Sequence, residues 1–180
     1  MTRDFYERSV HDVARDLVGC TVRRGDTAGR IVEVESYHEE EPACHAFVGL
    51  TARTRVLLGP PGRAYVYFSY GIHSLLNAVC EDEGVGAAVL IRALEPIAGI
   101  DTMRARRGKQ PLCAGPARLC EALGVTGALN GASLQRGLLR IVEGRKPPRR
   151  EIATGPRIGI TQATDWPLRF YLEGSPWVSR

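Results

Sequence analysis

Between Arg63 and Leu94 the chain carries three segments of strand character, separated by connections too short to hold a helix. Arg63–Tyr70 and Ile72–Cys80 meet at Gly71, and Ala87–Leu94 follows the turn at Glu81–Gly86. Parallel neighbours need a crossover of about a dozen residues or more, so strands this close in sequence pair antiparallel. Such a chain is neither a Rossmann fold nor a TIM barrel, in which strands alternate with helices.

The flanking sequence fits the same class. Ser9–Gly19 reads as a helix, with Ser9 as its cap, Val10, Val13, Ala14 and Leu17 on one face, and Gly19 as its stop. Thr21–Arg24 and Arg30–Tyr37 read as further strands. Two more helices are expected, one from Ile97 to Arg107 and one opened by Pro116 and ended by Gly124. Gly144–Ala153 reads as an exposed basic loop, after which Arg157–Ile160 and Leu168–Leu172 return to strand. At 180 residues and 44% apolar content the chain is long enough for one domain with its own core. The expectation is a single α+β domain on an antiparallel sheet, spanning residues 1–180.

Charge is informative in its distribution. Residues 1–50 hold six Arg and ten acids, a net of −4, whereas residues 51–180 hold 18 basic and ten acidic residues, a net of +8. A basic remainder suits a polyanion on one face. All but two of the 24 basic residues are Arg, the exceptions being Lys109 and Lys146. The planar Arg fork suits phosphates and base edges. No apolar run is long enough to span a bilayer, and the N-terminus has no signal-peptide core. The five cysteines are odd in number and form no CxxC pair, which argues against a disulfide framework or zinc site and for a reduced, intracellular protein.

Two strands look unusual. In Ile31-Val32-Glu33-Val34-Glu35-Ser36-Tyr37 a period of two puts Ile31, Glu33, Glu35 and Tyr37 on one face, with Val32, Val34 and Ser36 on the other. If Val32 and Val34 face the core, the acids are solvated. If the strand is covered on both faces, a buried Glu beside Tyr37 needs partners and suits general-base chemistry. In Arg63-Ala64-Tyr65-Val66-Tyr67-Phe68-Ser69-Tyr70, Tyr65 and Tyr67 share a face while Tyr70 sits at the turn, pointing the other way. An aromatic at a hairpin tip suits base stacking or wedging. The basic stretches Met103–Lys109 and Arg145–Arg150 offer phosphate contacts.

These segments sit within longer stretches: RIVEVESY at 30–37, His45, TARTRVLLGPPGRAYVYFSYGIHSLLN at 51–77 and VLIRALEPIAGIDTMRARR at 89–107. LCAGPARLCEALG at 112–124 and PLRFYLEGSPWVS at 167–179 follow. In this order, over nearly the whole chain, they resemble the alkyladenine (3-methyladenine) DNA glycosylase family, in its bacterial type. The resemblance implies a curved antiparallel sheet with surrounding helices and a protruding β-hairpin. It also implies a monomer of the bacterial cytoplasm, acting at the nucleoid without metal or cofactor on double-stranded DNA that contains damaged purines. The reaction implied is hydrolysis of the N-glycosidic bond, leaving an abasic site for base excision repair.

Residue by residue, the resemblance makes Glu35 the water-activating base and Arg92 the cation that helps hold the water and a neighbouring phosphate. Tyr37, Tyr67 and His45 match the walls that stack on a flipped base. Asn77 matches the residue that meets the 2-amino group of normal guanine, and Tyr70 matches the wedge that fills the vacated stack. Arg53, Arg55 and Arg63, just before the aromatic hairpin, are expected on the DNA backbone. Departures bear on substrate range. The Tyr37–His45 interval is one residue shorter than in mammalian members, and Leu57-Leu58 stands where the family usually has Met-Phe. An alternative is a lesion-binding protein of the same fold with weak or narrow catalysis. A carbohydrate glycosidase fits less well, because two acids on one strand cannot flank a sugar bond. Scarce lysine disfavours lyase chemistry, which needs an amine nucleophile.

Overall fold

The computed structural model describes residues 1–179. Its helices are α1 (Arg3–Tyr6), α2 (Val10–Leu17), α3 (Ile100–Arg107) and α4 (Pro116–Leu123). Its strands are β1 (Thr21–Arg24), β2 (Thr27–His38), β3 (Ala64–Ser69), β4 (His73–Val79), β5 (Ala87–Ala98), β6 (Leu139–Val142), β7 (Ile152–Gly155) and β8 (Arg169–Leu172). The eight strands form one antiparallel sheet in the order β3-β4-β5-β2-β1-β6, with β8 pairing β2 and β7 pairing β8. The fold is α+β, as the short connections require.

The sheet forks at β2. Thr27–Arg30 pair with β1, whereas Glu33–Glu35 pair with β8. One sheet face carries the main core, in which Val10, Val13, Ala14 and Leu17 of α2 and Leu119, Cys120 and Leu123 of α4 meet Val34, Val66, Leu76 and Ile91. The opposite face is covered by the 39–62 connection and by the C-terminal segment. Under the first of these lies a smaller cluster of Cys44, Ala46, Leu57, Tyr65, Val79 and Ala88. Both faces of β2 are therefore covered, and Glu33 and Glu35 are each 0% exposed.

Strict alternation fails at one point in β2. From Ile31 to Glu33 the pairing advances two residues against one on β5 (Leu94 to Ala93). From Glu33 to Val34 it advances one against two (Ala93 to Ile91). Val32 and Arg92 are thus the extra residues of two opposed bulges, which re-aim the side chains beside them. Ile31 consequently joins Val34 in the core instead of sharing a face with Glu33. Glu33, Glu35 and Tyr37 keep the other face.

Other expectations shift as well. Ser9 occupies the cap position of α2 without a side-chain cap bond; its carbonyl accepts from the Asp12 and Val13 N–H groups. β5 runs on to Ala98, so the helix expected from Ile97 begins only at Ile100, beyond Gly99 in a left-handed conformation. β6 was not foreseen. The basic segment at 144–153 ends in β7, which pairs with β8. Arg157–Ile160 is not a strand. Its Ile158 N–H donates to the Glu35 carboxylate, and Gly159 turns the chain away at φ +79°.

Candidate active site

The sheet register assembles the site. Tyr65 pairs Asn77, Asn77 pairs Leu90, Leu90 pairs Glu35, and Glu35 pairs Arg169. Directly opposed residues present side chains to the same face, so these five form one row across β3, β4, β5, β2 and β8. At roughly 4.8 Å between strands, Asn77 and Glu35 lie about 10 Å apart along that row. In the next row Tyr37 pairs Ala88, which pairs Val79. The small Ala88 leaves space between its neighbours. That space is a cavity of about 310 Å³, lined among others by Tyr37, His45, Arg53, Tyr65, Tyr67 and Asn77, with Tyr70 at its rim.

His45 enters from a short 3-10 turn, His45–Val48, opened by Cys44. The turn lies against the start of β5, where a Cβ on Gly86 would come within 2.2 Å of the Ala46 Cβ. Only glycine permits that approach. The His45 ring meets Tyr67 edge-on, with centroids 4.5 Å apart. Its Nε2 lies 3.2 Å from Nη2 of Arg53, and its Nδ1 lies 3.1 Å from the Tyr65 hydroxyl. A guanidinium can only donate, so Nε2 accepts, and Nδ1 carries the proton and donates to Tyr65. Burial first, and Arg53 second, push the imidazole down to about 4, so it is neutral at physiological pH. Arg53 also sits over the Tyr67 ring, 5.1 Å from its centroid.

Tyr37 faces the cavity, and Arg157 stacks on its ring at 4.6 Å. Arg157 is held by the Ser36 carbonyl and by both carboxylate oxygens of buried Glu41. The Tyr37 hydroxyl donates to Oε2 of Glu35 at 2.8 Å. Oε1 of Glu35 accepts from the Ile158 N–H at 2.7 Å and lies 3.3 Å from Nη1 of Arg92. The same Nη1 donates to the Ile158 carbonyl at 3.1 Å. Burial pushes the Glu35 carboxyl above its ordinary value, against the opposing pull of Arg92, the Ile158 N–H and the Tyr37 hydroxyl. Glu35 itself does not line the cavity; it reaches that space through Tyr37.

Asn77 is buried, and its Nδ2 donates to the Tyr65 carbonyl at 3.0 Å. Tyr70 is 92% exposed at the tip of the β3–β4 hairpin, flanked by exposed Phe68 and Ile72. Tyr70 and Gly71 both have positive φ, +50° and +72°, as a mirror-image hairpin turn demands. Asn-Gly is the usual choice there; a tyrosine in that conformation costs about 1–3 kcal/mol. The turn also carries Tyr70 out of the simple alternation, to the rim of the cavity that Tyr67 lines.

The arginines before the hairpin separate. Arg53 is at the cavity, and Arg55 is exposed on the same connection. Arg63 lies at the base of β3, at the far end of the strand from Tyr70, and donates to the Gly131 carbonyl at 3.4 Å. Sequence reasoning missed Tyr65 as a pocket residue, although its period with Tyr67 could have placed it there. It also missed the Ile158 peptide, Arg157, Arg169 and Ser179, for which the sequence carried no local signal. Among the described residues there is no cluster of three or more His, Cys, Asp or Glu that could hold a metal ion. Among the described residues, no helix is long and apolar enough to cross a membrane.

A family model described as methylpurine-DNA glycosylase (MPG) matches residues 4–176. A relative from Rhodopseudomonas palustris (strain HaA2) is 52% identical over 182 aligned positions, covering 99% of this chain and 90% of its own length. One from Methanoculleus marisnigri is 51% identical, covering 98% of this chain and 96% of its own. One from Nitrosospira multiformis is 50% identical, covering 98% and 92%. All three carry the name "Putative 3-methyladenine DNA glycosylase".

Proposed function

The chain belongs to the methylpurine-DNA glycosylase family, hydrolases of N-glycosyl bonds, and from that premise we propose that it releases alkylated purines from duplex DNA by base flipping and Glu35-directed water attack. The observation that carries this reading is the convergence of Glu35, Arg92 and the Ile158 peptide directly behind Tyr37, a wall of the aromatic cavity.

In the proposed reaction Tyr70 wedges into the duplex and the lesion swings into the cavity, at a cost of a few kcal/mol in lost stacking, roughly. The base stacks among Tyr37, Tyr67 and His45. A purine alkylated at N3 or N7 is cationic, and aromatic walls favour it by about 1–2 kcal/mol when desolvated. Asn77, tied to the strand backbone, limits the room for an exocyclic 2-amino group. A water takes a place beside Oε1 of Glu35, among the groups that now contact each other directly. Its oxygen bonds to C1′ of the deoxyribose as the C1′–N9 bond breaks. The bonding electrons pass into the purine ring and neutralise its charge. Glu35 takes the proton, and the product is an abasic site. Arg92 holds the water and the adjoining phosphate.

The test is single-turnover base release from matched duplexes carrying 3-methyladenine, 7-methylguanine, hypoxanthine or ethenoadenine. Release of the two methylated bases ahead of the neutral ones is expected. Glu35→Gln should bind the 7-methylguanine duplex and fail to release the base. Undiminished release by that variant would remove Glu35 from the reaction. Tight lesion binding with negligible release by the parent protein would favour the lesion-binding reading instead.

A further inference from the structure

Among the described residues Glu33 is the most heavily hydrogen-bonded acid, and the proposed chemistry does not use it. Its side chain is 0% exposed. Oε1 accepts from Nε of Arg169 at 2.6 Å, from the Ser179 hydroxyl at 2.9 Å and from Nε of Arg92 at 3.2 Å. Oε2 accepts from the Ser179 N–H at 2.7 Å. The Ser179 hydroxyl completes a triangle by accepting from Nε of Arg92 at 3.1 Å. A buried carboxylate is costly unless its lone pairs are filled, and here they are.

Arg92 is thereby gripped at both ends of its guanidinium. Nε is held by Glu33 and Ser179, while Nη1 faces Glu35 and the Ile158 carbonyl. Residue 92 is also the bulged position of β5, where the ladder does not dictate side-chain direction. Something else must fix that direction. From this geometry we infer that Glu33 is a positioning residue: its carboxylate fixes Arg92 against Glu35 and, through Arg169 and Ser179, fastens the C-terminal segment over the reaction centre. The inference rests on the proposed glycosylase reading and names a residue which that reading leaves idle.

The assignment has an electrostatic signature. Glu35 is faced by Glu33 and Tyr37 on its own strand, by Arg92 on β5, by Arg169 opposite it on β8, and by the Ile158 N–H. Arg157 stacks on Tyr37, and Tyr67 lines the same cavity as Tyr37. Among these, Glu33 is the other acid, and its charge raises the Glu35 carboxyl while Arg92 lowers it. Replacing Glu33 by Gln removes the like charge but also loosens Arg92, whose lowering pull on Glu35 is the larger of the two effects. With Arg92 loosened the Glu35 carboxyl ionises at higher pH; with Arg92 still in place it would ionise at lower pH.

The experiment is the pH profile of single-turnover release from a 7-methylguanine duplex, whose lesion is already cationic and needs no acid catalysis. For E33Q the maximal rate is expected to fall on the order of 10–100-fold, the range typical for loss of an orienting partner. The acid limb should move to higher pH, and duplex affinity should stay unchanged. E33D keeps the charge but shortens the reach, so it should lose rate with its acid limb moved the same way. A merely structural role would lower the active fraction of E33Q and leave Arg92 in place, so that the limb stays or moves to lower pH with the lost charge, which overturns the inference. If E33Q does not fold, E33D decides: a parent-like maximal rate overturns the inference, and a slower rate at unchanged affinity supports it. A parent protein that releases no base overturns the glycosylase reading and this inference together, whereas normal release by the parent with an E33Q limb that is unmoved or moved to lower pH overturns the inference alone.

Discussion

The centre of the sheet and the tip of its hairpin solve opposite problems. At the centre, Glu33, Glu35 and Arg92 are buried, and their polar atoms are engaged by each other and by the C-terminal segment. At the tip, Phe68, Tyr70 and Ile72 are more than half exposed, on a turn whose leading residue is strained. Both arrangements cost stability. The centre gives up the hydration of its charges, and the tip gives up backbone ease and apolar burial. Charges directed at a reacting bond act most strongly away from water, whereas a group that must enter another molecule has to start outside its own. Position in the sheet thus separates the residues proposed for chemistry from those proposed for access.

The largest expected effect lies at the centre. Glu35→Gln should reduce base release by about 10²–10⁴-fold, the usual worth of a positioned general base. Its stability should move the other way. Because burial raises the folded-state carboxyl above its unfolded value, the folded protein binds more protons than the unfolded one across that interval. Stability from this group therefore falls as pH rises through the interval, and removing the charge restores it. Thermal melts should show E35Q above the parent at neutral pH and level with it in acid. A lower melting temperature at neutral pH would mean that the ionised form of Glu35 is the one the fold prefers.

At the tip, Tyr70→Asn should likewise separate activity from stability, through backbone and not charge. Asn accepts positive φ more readily than Tyr, so a gain of about 1 kcal/mol is expected in denaturant titrations. Loss of the wedge should slow release by roughly tenfold or more, in line with about 1–3 kcal/mol per aromatic–base stack. Equal release by Y70N would end the contrast between the two regions.

His45 lies between them, and its effect is smaller. Its imidazole is held at about 4 in the folded protein, below the ordinary value of 6.5. The unfolded chain binds more protons between those values, so this group's contribution is complete above about pH 6.5 and is lost as pH falls toward 4. His45→Gln should flatten the fall in melting temperature across that window. Smallest of all is the comparison of two arginines. Arg53→Ala should reduce the salt dependence of duplex binding by about one phosphate contact. Arg63→Ala, at the other end of β3, should leave it unchanged.

Much of this was legible in the sequence, though unevenly. Short connections set the antiparallel order, and periodicity placed the β3 tyrosines. The alternation of Val and Glu in β2 could not decide whether the acids faced water or protein, because that depends on what covers the second face. The covering pieces, 39–62 and the C-terminal segment, have no regular period of their own. The paired bulges at Val32 and Arg92 were likewise invisible, since a one-residue irregularity leaves composition and pattern almost unchanged. Arg157–Ile160 reads as a strand by its residue types, yet the Ile158 N–H bonds a carboxylate in place of a ladder partner. β6 was missed because Leu139–Val142 is short, and its partner β1 lies far away in sequence.

The fork in β2 sets the order in which a newly made chain can become competent. Glu33 and Glu35 are synthesised early, but Ile158, Arg169 and Ser179, which clasp them, come near the end of the described chain. Until those residues emerge from the ribosome, the carboxylates have Tyr37 and Arg92 but lack the rest of the partners that orient them. An interrupted translation product is thus expected to carry the aromatic side chains of the pocket without the part of its wall at Gly159 and Ile160 and without a working reaction centre. Release assays on a chain ending at Gly155 would show whether completion of synthesis is what switches the chemistry on.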